Sequence, residues 1–142
     1  MIILDTNIIS ELTRAVPEAR VISWLDSLPA EETAITAITA AELRYGVRRS
    51  PAGRRKNELS EAVHALINAD FRGRVEPFDV LAADHYADVV AERERTGRPI
   101  STPDAQIAAI CRVLAATLAT RNTSDFTNTG VNLIDPWEPA AS

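Results

Sequence analysis

Cysteine is almost absent from this chain. Of 142 residues only Cys111 carries a thiol, which excludes a disulfide framework and a multi-cysteine zinc site. Histidine is nearly as scarce, and His64 and His85 alone are too few for an imidazole-built metal centre; both are expected in surface or packing roles. Aromatic residues make up 5%, so base stacking is expected to be a minor means of recognition, and Trp24 and Trp137 are expected as core or interface anchors. No apolar run approaches the roughly 18 residues of a membrane span. Even Ile107 to Ala119 is broken by Arg112. The apolar start, Met1 to Leu4, stops at Asp5 with no basic segment before it, far short of a secretory leader, so a cytoplasmic location is expected. No Walker-type phosphate loop, no G-x-G-x-x-G after a strand and no G-x-S-x-G elbow occurs, which disfavours nucleotide-binding domains and ordinary α/β-hydrolases.

What is present is the composition of a folded domain. Hydrophobic residues are 46% and charged residues 25%, and the length suits one compact unit, expected over residues 1–137 with a short tail at 138–142. About two-thirds of the extended chain's surface would be buried, so no staple is needed for stability. Any metal would serve chemistry. With 15 basic and 20 acidic residues the net charge is −5, which argues against a surface uniformly adapted to nucleic acid but leaves room for a basic patch.

Ile2-Ile3-Leu4 is a short unbroken apolar run, the pattern of a parallel strand buried on both faces and ending at Asp5. A helix capped by Thr6 or Asn7 should follow, then a second with Pro17 in its first turn and Val21, Trp24, Leu25 and Leu28 on one face. Thr33–Thr36 reads as a strand, about Ile38 onward as a helix that Gly46 weakens, and 50–53 as a loop. One amphipathic helix is predicted from Arg54 to Phe71, a short strand within 74–78, and a helix over 80–95 with Ala83, Tyr86, Ala87, Val90 and Ala91 inward. Pro103 opens the next helix, with Asp104 in its first turn. Strands at 117–120 and near 131–134 complete the set, separated by a turn through Asn122 to Asp125. Alternating strands and helices predict an α/β sandwich in which a mostly parallel sheet carries helices on both faces.

In such sheets chemistry collects outside the carboxyl ends of the strands. Asp5 follows the first strand, Asp104 opens a helix, and Asn122 and Asp125 follow the strand ending at Thr120. Glu42 lies in the apolar stretch Ile38 to Leu43, where an ionised carboxylate would need a partner. Each acid alone has a plainer explanation: Asp5 as a helix cap, Asp104 as a complement to the helix dipole, Asp125 as a turn residue, Glu42 as a solvated helix residue. Together they would repel one another unless joined by a cation, and oxygen-only ligands favour Mg²⁺ or Mn²⁺. Such a site suits phosphodiester hydrolysis by activated water.

Four segments carry a family likeness: Ile2-Ile3-Leu4-Asp5-Thr6-Asn7, Ala40-Ala41-Glu42-Leu43-Arg44-Tyr45-Gly46, Pro103-Asp104-Ala105-Gln106-Ile107-Ala108-Ala109 and Ala119-Thr120-Arg121-Asn122-Thr123-Ser124-Asp125-Phe126. In this order they resemble the PIN-domain ribonucleases, in particular the VapC toxins of VapBC toxin–antitoxin pairs in the FitB-like branch. The resemblance implies a PIN-like three-layer sandwich and a Mg²⁺- or Mn²⁺-dependent endoribonuclease acting on RNA. It also implies a homodimer, or a larger toxin–antitoxin assembly, held inactive by a VapB-type antitoxin whose end lies over the active site. By motif match Asp5, Glu42 and Asp104 are the core acids, with Asp5 and Asp104 as direct metal ligands and Thr6 and Thr120 as polar neighbours. Where FitB-like members can carry aspartate this chain has Asn122. Either Asp125 supplies a fourth acid, the reading favoured here, or the site works with three.

Arg44, Arg48, Arg49, Arg54, Arg55 and Lys56 fall within 13 positions, and Arg44, Arg48 and Arg49 are expected to contact RNA or antitoxin unless they simply complement a helix end. Two rival functions keep the same fold. A phospho-acceptor signalling domain would want a lysine after a late strand, and the lone lysine is Lys56. A noncatalytic PIN-like protein-binding module would show no metal affinity at its carboxylates.

Overall fold

The computed structural model describes residues 1–139; positions 140–142, the end of the predicted tail, lie outside the described residues. Five strands form one all-parallel sheet in the order β3-β2-β1-β4-β5. They are β1 (Ile2–Leu4), β2 (Thr33–Thr36), β3 (Val75–Glu76), β4 (Thr117–Ala119) and β5 (Leu133–Ile134). Six α-helices flank it: α1 (Thr6–Leu12), α2 (Ala19–Asp26), α3 (Ala37–Arg49), α4 (Arg54–Ala65), α5 (Val80–Arg95) and α6 (Thr102–Leu114).

The apolar runs explain the layering. Successive side chains of a strand point to opposite faces. Leu4, Ile35 and Ala119 therefore face a core built with Ile8, Ile9, Val21, Leu43, Val47 and Val63, while Ile3, Ala34 and Leu118 face one built with Val89, Ala105, Ile107, Ala108 and Cys111. Helices α1 to α4 contribute to the first core, and α5 and α6 to the second. Both faces of the sheet are covered, which is why its strands show no alternation of polar and apolar residues.

Strand β1 sits at the centre, with Ile3 opposite Ala34 of β2 on one side and Leu118 of β4 on the other. The chain winds outward through β2 and β3, then returns to add β4 and β5 beyond β1. That reversal is a topological switch point, and it opens a crevice at the carboxyl ends of β1 and β4. The ladder extends one step past β1, the Asp5 amide donating to the Ala119 carbonyl at 2.9 Å, so Asp5 is pinned at the lip of the crevice.

Several details differ from the sequence expectation. The cap of α1 is Asp5 rather than Thr6 or Asn7: its carboxylate accepts the Thr6 amide while its backbone is still extended. Helix α2 begins at Ala19, after Pro17, and ends before Leu28. The single helix predicted over 54–71 stops at Ala65 and continues as one π-helical turn, Leu66–Asp70, closed by the Phe71 amide on the Leu66 carbonyl at 2.9 Å, whose extra residue per turn puts Leu66 and Phe71 both in the core. On α5 the buried positions are Ala82, Val89 and Arg93, whereas Ala83, Ala87 and Ala91 face solvent. Tyr86 and Val90 are half-buried against the core as expected, and Arg93 joins this face. Its guanidinium donates to the carbonyls of Arg98 at 2.6 Å, Asp125 at 2.7 Å and Thr127 at 3.0 Å, so a charged side chain is buried where the sequence pattern gives no inward position.

Candidate active site

Three segments remote in sequence meet at the crevice. Asp5 arrives on β1, Glu42 on α3 and Asp104 in the first turn of α6, and all three line one cleft of about 480 Å³. Asn122, from the loop after β4, lines it as well. Among the described residues lining it there is no histidine or cysteine.

Asp5 is held most firmly. It is only 6% exposed, and both its oxygens are engaged: Oδ1 accepts the Thr6 amide at 2.8 Å, and Oδ2 accepts the Thr120 hydroxyl at 2.8 Å and the Asn7 side-chain amide at 3.4 Å. The Thr120 hydroxyl in turn accepts from Asn7 Nδ2 at 3.2 Å and from the Asn122 amide at 3.1 Å, and Asn7 Oδ1 accepts the Arg121 amide at 3.2 Å. Burial nevertheless pushes the Asp5 carboxyl above its usual range. The bonds from Thr120 and Thr6 pull it down, and the charges of Glu42 and Asp125 push it up again. Donors alone do not neutralise this carboxylate.

Asp104 is half-buried at the start of α6, where Ser101 caps the helix by accepting the Asp104 amide at 3.3 Å. Its carboxyl is also raised: burial is the main cause, Asp5 and Asp125 add to it, and Ser101 and the Arg93 charge oppose it. Glu42 is exposed rather than enclosed by its apolar neighbours, and it takes part through the Thr6 hydroxyl, which donates to Glu42 Oε1 at 2.7 Å. Asp125 is exposed in the short turn Thr123–Phe126 and does not line the cleft. It reaches the site through its field on Asp5 and Asp104.

This donor set fits a hard divalent cation. Among the described residues no three acidic, histidine or cysteine side chains close into a ready cage. Mg²⁺ is typically bound by one or two carboxylates and keeps several waters, so it needs no such cage. The carboxyls of Asp5 and Asp104 are raised chiefly by burial and further by neighbouring acids, and a bound cation would favour the ionised form of both.

The sequence reading missed one side of the cleft. Asn7, Ser10, Glu11 and Arg14 all line it; the first three, spaced three and four residues apart, form one stripe of α1, a polar counterpart to the buried Ile8 and Ile9, and Arg14 follows just past the helix end. Arg121 and Trp137 line it as well, the Arg121 guanidinium lying 5.1 Å from the centre of the Trp137 ring. Of the basic cluster, Arg49 lines an adjoining groove shared with Thr6 and Glu42, while Arg44 and Arg48 line a separate hollow with Lys56. His64 is exposed, and His85 is half-buried.

Comparison with known proteins agrees with this geometry. The PIN domain family model matches residues 2–132. The chain is 41% identical over 140 residues to VapC ribonuclease Y4jK of Sinorhizobium fredii, covering 99% of this chain and 100% of that protein. It is 42% identical over 137 residues to Toxin FitB of Neisseria gonorrhoeae, covering 96% and 99%. A solved structure of FitAB bound to an IR36 DNA fragment superposes with a TM-score of 0.94 at 40% identity, covering 99% of both chains. The family match spans the sheet from β1 to the residue before β5 and the helices between, and the chain belongs to the PIN domain family.

Proposed function

We propose that this chain is the toxin of a toxin–antitoxin pair, a ribonuclease that hydrolyses RNA phosphodiester bonds with Mg²⁺ or Mn²⁺ and is restrained in the cytoplasm by a small cognate antitoxin. The observation that carries this reading is the convergence of Asp5, Glu42 and Asp104 on one cleft whose described lining offers neither a cysteine nor a histidine nucleophile. The named relatives, a VapC ribonuclease and Toxin FitB, support it.

Asp5 and Asp104 would hold the ion, which would supply neutralisation of the phosphate and acidification of a water. Asp5 presents its carboxylate in a fixed direction because Thr6 and Thr120 occupy known positions on its oxygens. Glu42, exposed and hydrogen-bonded by the Thr6 hydroxyl, would accept a proton from the attacking water. Asp125 completes the acid set as a neighbouring charge, and Asn122 and Thr120 fix the loop that frames it.

The groove beside the cleft, lined by Leu43, Tyr45, Leu59 and Val63 and continuous with Glu42 and Thr6, supports an antitoxin segment lying across the acids. Arg49 borders that groove and Arg44 and Arg48 flank it, suited to antitoxin or RNA. Exposed Val80 and Leu81 at the start of α5 support pairing with a second copy. Among the described residues no helix is long and apolar enough to cross a membrane.

The test is cleavage of bacterial total RNA by purified protein. Cutting is expected in Mg²⁺ or Mn²⁺ and is expected to vanish in chelator and in Asp5→Asn. Equal cutting by Asp5→Asn would overturn the assignment, and absence of Mn²⁺ binding would favour the noncatalytic module.

A further inference from the structure

The cleft is not uniformly acidic. Two guanidinium groups line it besides the carboxylates, Arg14 just beyond the end of α1 and Arg121 in the loop after β4. Both are held in place. Arg14 Nη1 lies 3.1 Å from each oxygen of Glu11, a carboxylate only 4% exposed, while the arginine side chain itself is 62% exposed. Glu11 is locked from behind by the Glu18 amide at 3.1 Å. Burial pushes the Glu11 carboxyl up, yet the Glu18 amide, Arg14 and the charge of Arg121 outweigh it, so Glu11 stays ionised below the usual range. Arg121 lies over the Trp137 ring, and Arg20 ties down the Trp137 carbonyl at 3.0 Å.

This arrangement is more than a brace between α1 and α2. A structural ion pair would turn the guanidinium inward, whereas here the anion is buried and the cation faces the cleft. Each guanidinium has donors not engaged by the described residues, and stacking leaves the edge of Arg121 free. Fixing an arginine before the ligand arrives lowers the ordering cost of binding. A polyanion entering an acid-lined cleft on a chain of net charge −5 requires such local cations.

We infer that Arg14 and Arg121 grip the phosphates flanking the scissile bond of an RNA strand, and that buried Glu11 is the positioning residue for Arg14. This rests on the ribonuclease reading above and assigns the substrate contacts of that same cleft.

The probe is a synthetic single-stranded RNA spanning a cut site mapped in bacterial total RNA. Arg14→Ala and Arg121→Ala are each expected to raise KM by about tenfold, the scale of a hydrogen bond to a charged group, with kcat changed far less. Each should also reduce the slope of log affinity against log salt by about 0.7, the single-strand value per phosphate contact. Arg14→Lys should restore the slope but only part of KM, since an ammonium lacks the planar fork. Glu11→Gln should raise KM in the wild-type background and add nothing in Arg14→Ala, a pattern that loss of a purely structural brace would not give. Arg95→Ala, whose Nε sits 3.0 Å from Glu92 on α5, serves as the control and should leave KM and slope unchanged.

If the wild type cuts RNA while the two alanine variants keep its KM and salt slope, the inference falls and the ribonuclease reading stands. Weakened antitoxin binding with KM and slope unchanged would likewise overturn it, in favour of a protein contact. No cutting of any RNA by the wild type would bring down both.

Discussion

Asp5 and Asp125 sit at opposite extremes of the same acid set. Asp5 is buried, pinned by a ladder bond and a cap, and touched on both oxygens; Asp125 is exposed in a short turn that Arg93 holds only by its backbone carbonyls. The contrast teaches that the fold fixes direction at one carboxylate and only charge at the other. A ligand to a small hard cation needs oxygens at set positions, whereas a charge acting through its field tolerates several ångströms of freedom.

The comparison is most sharply broken at Asp5 itself. Asp5→Asn is expected to abolish cleavage, by about a thousandfold or more as for loss of a central catalytic group, and yet to raise the melting temperature in chelator at pH 7, because it removes a charge that burial penalises. Asp125→Asn should cost activity only about tenfold or less and leave stability within about 0.5 kcal/mol, as for an exposed substitution. Thermal melts beside single-turnover cleavage of RNA would read both.

Thr120→Val tests the firmness of the buried end. It removes the hydroxyl that donates to Asp5 and leaves the Asn7 and Asn122 donors without their acceptor, at a cost of about 1–3 kcal/mol measured by urea unfolding. A stability series in pH comes next. Asp5 and Asp104 have raised carboxyl pKa values in the folded state, so the folded chain binds more protons than the unfolded one across the interval between the ordinary and the raised values. Their charging therefore destabilises the chelated protein as pH rises through that interval, and the penalty is complete above the raised values. Saturating Mg²⁺ should flatten this part of the profile. The smallest effect is expected far from the acids, at the other end of α6. Ala115 closes that helix in a left-handed conformation with φ of 50°, and Ala115→Gly should stabilise by no more than about 1 kcal/mol.

Much of this was legible in the residues because the signals were local. The run Ile2 to Leu4 followed by an acid marks a buried strand and its functional end, and Pro103 with Asp104 marks a helix start. What escaped depends on partners far along the chain. Arg93 is buried because the carbonyls of Asp125 and Thr127 await it more than thirty residues later, which no periodicity on α5 reveals. The π turn at Leu66–Asp70 answers to the core beneath it rather than to a breaker in its sequence. Glu42 is ambiguous locally: its apolar neighbours suggest enclosure and its charge suggests solvent, and the helix turns it outward with Thr6 as its partner. The stripe Asn7, Ser10 and Glu11 carries its own signal, visible once the polar face of α1 is read with the same care as the apolar one, whereas Arg14 lies past the helix end.

Winding the chain outward from β1 and then back to β4 has a consequence for synthesis. Asp5 and Thr120 are 115 residues apart, so during synthesis this acid has only its local partners, Thr6 and Asn7, until the segment carrying Thr120 has been made. A cell making such an enzyme is thereby shielded from half-built copies: the blade is assembled only when the handle is finished.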